Sequence, residues 1–186
     1  MSDTKILLLN GPPRCGKDTA ANYIQKKLSV PKFKFATPLK DGVHKSLSLQ
    51  IGTEYYEDKK DEHLPEFFGL TPREAYIKHS EEYMKPTYGK NIFSRLFIRD
   101  LDYSLIKRTV VSDCGFQIEI DTIIKRYGLE NVGLIHIHRD DCSFIGDSRS
   151  YIKPHSGMYF TSGPNDNLVD FLQEILTHAK EFFEID

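Results

Sequence analysis

The sequence predicts an α/β fold built on a parallel sheet, on three observations. Lys5–Asn10 (KILLLN) is a short, nearly continuous apolar run of the kind that forms strands buried on both faces. Further strand-like runs follow at Lys32–Ala36, Thr109–Ser112, Val132–His138 and Met158–Thr161, separated by segments of helical spacing, and strands alternating with helices imply crossover units. At 186 residues, 39% of them hydrophobic, the chain can bury a core as one domain without disulfides or a structural metal.

Each element has its own local signal. After the first strand and a glycine-bearing loop, Ala20, Ile24 and Leu28 are spaced for a helix over Lys17–Leu28, closed by Val30-Pro31. Lys32–Ala36 (KFKFA) alternates as a second strand and leads into a helical segment over about 38–49. Between about 50 and 103 charges are dense, aromatics are scattered and turn signals recur, which suggests a helical insertion. Within it Thr71 is a plausible cap, Pro72 a first helical residue and Glu74 a first-turn acid for a helix to Tyr83. The core pattern resumes with the third strand, a helix over Phe116–Tyr127 and the fourth strand. A last helix over Asn167–Phe183 presents Leu168, Leu172, Ile175, Leu176, Ala179 and Phe183 on its apolar face.

Charge and cysteine usage exclude several classes. With 25 Lys and Arg against 27 Asp and Glu, no global basic field points to nucleic acid or an anionic membrane. The three cysteines match no metal spacing and suit reduced thiols in a cytoplasm. The apolar run at Ile6–Leu9 is too short for a signal peptide or a membrane span, so the protein is expected to be neither exported nor membrane-spanning.

Gly11-Pro12-Pro13-Arg14-Cys15-Gly16-Lys17-Asp18-Thr19 lies between the first strand and the first helix, the context a phosphate-binding G-x-x-x-x-G-K loop requires. Backbone N–H groups at a helix start lack intrahelical acceptors and, with the helix dipole, form an anion site. Gly16 lets the backbone approach phosphate oxygens, donors remain from Arg14 through Thr19, and Lys17 would reach the β and γ phosphates. The residue after the lysine is Asp18 where Ser or Thr is usual, with Thr19 next. Either could serve Mg²⁺, Asp18 through water. Cys15, at a helix N-terminus beside Lys17, is expected to have a lowered pKa and no catalytic role.

This loop, followed by Phe35-Ala36-Thr37-Pro38-Leu39-Lys40, resembles the deoxynucleoside monophosphate kinases of bacteriophages. Thr71-Pro72-Arg73, Tyr88-Gly89, Val110-Val111-Ser112-Asp113 with Phe116 and Glu119, Arg139, and Asn165-Asp166-Asn167-Leu168 follow in that family's order. The resemblance implies a P-loop kinase fold with a five-stranded parallel sheet of order 2-3-1-4-5. It implies a core of about 1–49, 104–139 and 158–186, a monophosphate-binding insertion at about 50–103 and a lid at about 140–157. Two positions depart from it: Gly115 stands where the family commonly has arginine, and Ser80–Lys85 replaces its Gly-Thr-Glu-x-x-Arg.

Phosphoryl transfer is catalysed mainly by positioning and charge neutralisation. Lys17, Arg139, Arg149 and Asp113 are the candidate catalytic groups: the segment between the two arginines is either a lid that brings both guanidinium groups to the transferring phosphate and excludes water, or a surface loop with exposed charges. Asp113 could hold Mg²⁺ through water, bind the acceptor, or cap the following helix. Gly11, Arg14, Cys15, Gly16, Lys17, Asp18 and Thr19 would bind ATP. Lys40, Arg73, Lys85, Tyr88 and Arg95 would bind the acceptor. Phe67, Phe68, Tyr76, Tyr83 and Tyr88 either stack on its base or form the insertion's own core. His136 and His138 are expected as packed or partly exposed imidazoles. The expected activity is Mg²⁺-dependent transfer from ATP to a nucleoside or deoxynucleoside monophosphate, in the cytoplasm, or in a host cytoplasm if phage-encoded. No nucleic-acid or membrane partner is expected, and a homodimer is left open. The alternatives are a kinase for a non-nucleotide phosphorylated metabolite and a slowly hydrolysing nucleotide-binding switch.

Overall fold

The computed structural model describes residues 3–155, 159–162 and 167–185. Met158 of the expected fifth strand, Asn165 and Asp166 of the expected turn, and the expected lid's last residues, 156 and 157, lie outside them. The chain forms two compact units, Met1–Lys34 with Phe97–Asp186, and Phe35–Leu96.

The first unit is built on five parallel strands, β1 (Lys5–Asn10), β2 (Lys32–Phe33), β3 (Arg108–Val111), β4 (Val132–Ile137) and β5 (Tyr159–Ser162), in the order 2-3-1-4-5. This is the P-loop kinase arrangement. β1 is central, with Leu8 opposite Val111 on one side and Leu134 on the other. Alternate residues of a strand face opposite sides. Leu7 and Leu9 therefore join the core under α1 (Lys17–Leu28) and the C-terminal helix, while the equally buried Ile6 and Leu8 face the opposite layer. β2 is shorter than the KFKFA alternation suggested because it is an edge strand paired only with β3, through Lys32 and Phe33.

Two helices of this unit refine the sequence reading. α6 (Gln117–Tyr127) buries Ile120, Ile123 and Tyr127 and packs along β4. α7 (Leu168–Phe183) is capped by Asn167, whose side chain accepts from the Val169 N–H at 2.9 Å. The buried face of α7 is Phe171, Ile175, Ala179, Phe182 and Phe183, whereas Leu168 is 59% exposed. The expected stripe was therefore rotated and omitted two phenylalanines. Phe182 presses onto β4 at Gly133, where a Cβ would come within 2.8 Å of its ring.

The second unit contains α2 (Thr37–Ser46), α3 (Pro72–Lys78), a π-helical turn (His79–Met84), α4 (Lys85–Tyr88) and the start of α5 (Ile92–Asp102). It begins earlier in the chain than the 50–103 segment, because α2 contributes His44 to a cluster with Tyr56, Phe67 and Tyr76, and it ends at Leu96. Thr71 and Glu74 form a reciprocal capping box: the Glu74 N–H donates to Thr71 Oγ1 at 3.1 Å and the Thr71 N–H to Glu74 Oε2 at 2.8 Å. The helix this box starts does not run regularly to Tyr83. Pro86 has no N–H for an i→i−4 bond, and just before it the Lys85 N–H reaches back to the Ser80 carbonyl, one residue further than an α-helix allows. α5 falls inside the 50–103 stretch expected to be helical, with bounds that the sequence reading does not draw.

Candidate active site

The site grows out of the C-terminal end of β1. A Cβ on Gly11 would lie 2.5 Å from the Ile137 carbonyl oxygen and 2.7 Å from Cys15 Sγ, so the loop leaves the sheet at a point where only glycine fits. Gly16, at φ 102, occupies the left-handed region as the N-cap of α1, and Arg14 shares that region at φ 66. The Ala20 N–H is bonded to the Gly16 carbonyl at 2.9 Å. Helix geometry leaves the N–H groups ahead of it without intrahelical acceptors, directed at the loop.

Lys17 closes this loop. Its ammonium donates to the carbonyls of Gly11 at 2.7 Å and Pro12 at 2.5 Å, and to Cys15 Sγ at 3.6 Å. Burial pushes the Lys17 pKa down; Cys15 opposes this, and the positive charge of Arg149 reinforces it. Cys15 corrects the expectation of a lowered pKa. The thiol is 3% exposed and packs into the core, so burial raises its pKa despite the opposing influence of Lys17.

Asp18 turns toward the ends of β2 and β3. Its Oδ1 accepts from Ser112 Oγ at 2.9 Å and pairs with Lys34 at 3.0 Å, while Lys32 stands 3.6 Å away. Burial alone would raise its pKa, but the bonds and charge from Lys34, Ser112 and Lys32 prevail and lower it. Thr19 is exposed on the first turn of α1. Asp113 follows at the same strand end and acts on Arg149 through its charge. The start of α6 is held by Glu119, whose Oε2 accepts from the N–H groups of Gly115 at 2.9 Å and Phe116 at 3.0 Å.

Arg139 and Arg149 both belong to this unit. Arg139 donates to the Arg14 carbonyl at 3.4 Å and pairs with Asp141 at 2.8 Å. Arg149 is held two-pronged by Asp147, Nε to Oδ1 at 2.8 Å and Nη2 to Oδ2 at 2.5 Å, and its own N–H adds a third bond at 2.9 Å. Its stem crosses Gly115 so closely that a Cβ there would lie 2.4 Å from Arg149 Cδ. The fully buried Asn10 was missed as a site residue. Its Nδ2 donates to the carbonyls of Cys114 at 3.0 Å and Ser150 at 3.2 Å, and its Oδ1 accepts from the Ile152 N–H at 3.1 Å. An amide ending an otherwise apolar strand was the available signal.

The expected acceptor-binding residues all lie in the second unit, each with a local partner. Lys40 pairs with Glu57, Arg73 with Asp61 at 2.6 Å and Lys85 with Glu81 at 2.5 Å, while Arg95 donates to the Tyr88 carbonyl at 2.9 Å. Phe67 and Tyr76 belong to that unit's core with Tyr56 and His44. Tyr83 and Tyr88 are about half exposed, hydroxyl to hydroxyl at 3.4 Å, and Phe68 is exposed.

Residues 5–70 match the family model for deoxynucleotide monophosphate kinase. That span contains β1, the phosphate loop, α1, β2 and α2. Solved structures of similar fold include a gluconokinase from Sinorhizobium meliloti 1021, 11% identical with a TM-score of 0.54 over 99% of this chain and 96% of that one. A sugar kinase from Janibacter sp. HTCC2649 is 11% identical with a TM-score of 0.46, covering 98% and 95%. The YorR protein from Bacillus subtilis, solved with phosphorylated GDP, is 12% identical with a TM-score of 0.32, covering 97% and 80%. At 11% identity the likeness to the gluconokinase concerns fold alone. No curated protein matches the sequence.

Among the described residues, no three His, Cys, Asp or Glu side chains gather into a metal cage, and no helix is long and apolar enough to cross a membrane. Asp18, on the first turn of α1, bonds Ser112, the residue before Asp113, and Mg²⁺ keeps several waters and is usually held by one or two carboxylates with substrate phosphates.

Proposed function

We propose that the protein transfers the γ-phosphoryl group of ATP to a nucleoside or deoxynucleoside monophosphate, yielding the diphosphate. The observation that carries this reading is the Lys17 ammonium fixed over a helix-opening phosphate loop. The kinase-family match over residues 5–70 supports it.

In this mechanism the loop N–H groups and Lys17 bind and orient the donor phosphates. Carbonyl acceptors hold Lys17 in place, and phosphate oxygens are stronger acceptors for its charge. Arg139 and Arg149 neutralise charge on the transferring group, and their segment excludes water that would otherwise hydrolyse ATP. Asp18, with Asp113 through water, would hold Mg²⁺, which supplies further phosphate neutralisation when bound; Thr19 is then left to a phosphate oxygen. Lys40, Arg73, Lys85 and Arg95 bind the acceptor phosphate, which must draw them from Glu57, Asp61, Glu81 and the Tyr88 carbonyl. Tyr83 and Tyr88 offer the exposed aromatic surface for a base.

The test is an ATP and Mg²⁺ assay across ribo- and deoxyribonucleoside monophosphates, with gluconate in a parallel arm, scored chromatographically for new phosphorylated product. A new diphosphate from at least one monophosphate is expected. ATP binding without any diphosphate overturns the reading, and phosphorylation of gluconate alone replaces it with a metabolite kinase.

A further inference from the structure

We infer that Gly115, together with Asn10, is a positioning residue that seats Arg149 at the mouth of the phosphate loop. This rests on the phosphoryl-transfer reading above. Three features of the first unit lead to it. The side chain of Arg149 runs across Gly115, where an added Cβ would meet Cδ at 2.4 Å, Cγ at 2.9 Å and Cβ at 3.5 Å. Gly115 is not among the residues of positive φ, so its backbone does not require glycine; the passage of the arginine does. Asp147 holds the guanidinium by two bonds, the charges of Asp113 and Glu119 also act on it, and its own charge acts on Lys17.

Asn10 fixes the segments on both sides of that crossing. One amide binds the carbonyl of Cys114, adjacent to Gly115, and the carbonyl of Ser150, adjacent to Arg149. Its oxygen takes the Ile152 N–H. The residue that ends β1 and introduces the phosphate loop therefore ties the segment that carries the arginine to the segment its side chain crosses. Asp147 then locks the guanidinium in two-pronged geometry. An aliphatic stem confined on one side by a side-chain-free residue, and a head group confined by a carboxylate, have few rotamers left. The charge is thus pre-placed at the loop and not collected from solvent during the reaction.

The experiment is a double-variant cycle on Gly115→Ala and Arg149→Ala. Gly115→Ala should fold, since alanine suits the backbone, and should lower kcat by about 10- to 100-fold with KM for the acceptor little changed. Arg149→Ala should lose at least as much, and the double variant should be no worse than Arg149→Ala alone, because the alanine then has nothing to displace. Full kcat in Gly115→Ala, or losses that multiply in the double variant, overturns the inference. A second readout is independent of substrate. In protein labelled with ¹⁵N-arginine, the Arg149 Nε–H resonance, assigned by its loss in Arg149→Ala, should move in Gly115→Ala. An unmoved resonance overturns the seating even if the native protein phosphorylates nothing tested, whereas a moved resonance without activity removes only the phosphoryl-transfer reading.

Discussion

His136, near the C-terminal end of β4, should impose a measurable acid sensitivity on the fold. The ring is 5% exposed and packs against Tyr151 and Tyr159, each with centroids 4.9 Å away. Thr161 donates to the Tyr159 oxygen at 3.0 Å, which leaves the Tyr159 hydroxyl to donate to His136 Nδ1 at 2.9 Å, an arrangement suited to a neutral imidazole. Burial lowers its pKa from 6.5 to about 4; the Ile152 backbone opposes this, and the neighbouring His138 adds to it. The folded value lies below the unfolded one, so stability is full above pH 6.5 and is lost progressively as pH falls toward 4. At about 1.4 kcal/mol per pH unit across that interval, the loss approaches about 3 kcal/mol. Urea unfolding of wild type and His136→Phe at several pH values between 7.5 and 4 isolates the effect. The phenylalanine keeps the ring packing, sacrifices the Tyr159 bond at every pH, and cannot take up a proton. The wild type should therefore lose stability relative to the variant on acidification. Parallel curves for the two proteins would refute the reasoning.

Lys17→Ala should reduce kcat by about 10²- to 10³-fold while unfolding free energy changes by less than about 1 kcal/mol, because a partly buried ammonium is itself held at a cost. Comparable loss of activity and stability would mean the lysine only braces the loop. Gly11→Ala forces a Cβ against the Ile137 backbone oxygen and should cost about 1–3 kcal/mol, with nucleotide affinity falling in the same variant; unaltered thermal melting would count against the close approach. Thr71→Ala removes half of the capping box and should cost about 1 kcal/mol in urea unfolding, with α3 fraying first by hydrogen exchange; unchanged protection at Glu74 and Ala75 would argue otherwise.

The elements legible in the sequence were those whose cause is local. The apolar run of β1, the glycines of the loop and the spacing of α1 lie within a few residues of one another, as do Thr71, Pro72 and Glu74. The strand order followed from the resemblance, not from any single segment. α5 lies in a stretch read only as a helical insertion, its bounds hidden by dense charge, although Ile92, Phe93, Leu96, Phe97 and Leu101 carry helical spacing. On α7 the choice of face depended on whether Leu168 or Phe171 meets β1 and α1, which a helical wheel with apolar residues on several sides does not decide. The most consequential gaps were long-range. Asn10 reaches Ser150 across 140 residues of chain, and the contact between Gly115 and Arg149 has no sequence signature until the two segments lie side by side. Cys15 was misjudged because a neighbouring ammonium is visible in the sequence, while the hydrophobic packing that outweighs it is not.

The concealment of Cys15 gives the protein a built-in chemical reporter. A thiol sealed under the phosphate loop and disfavoured as thiolate reacts slowly with alkylating reagents. Its labelling rate therefore counts the moments at which the loop lifts from the sheet, and a bound ligand that pins the loop should slow that clock without touching the sulfur.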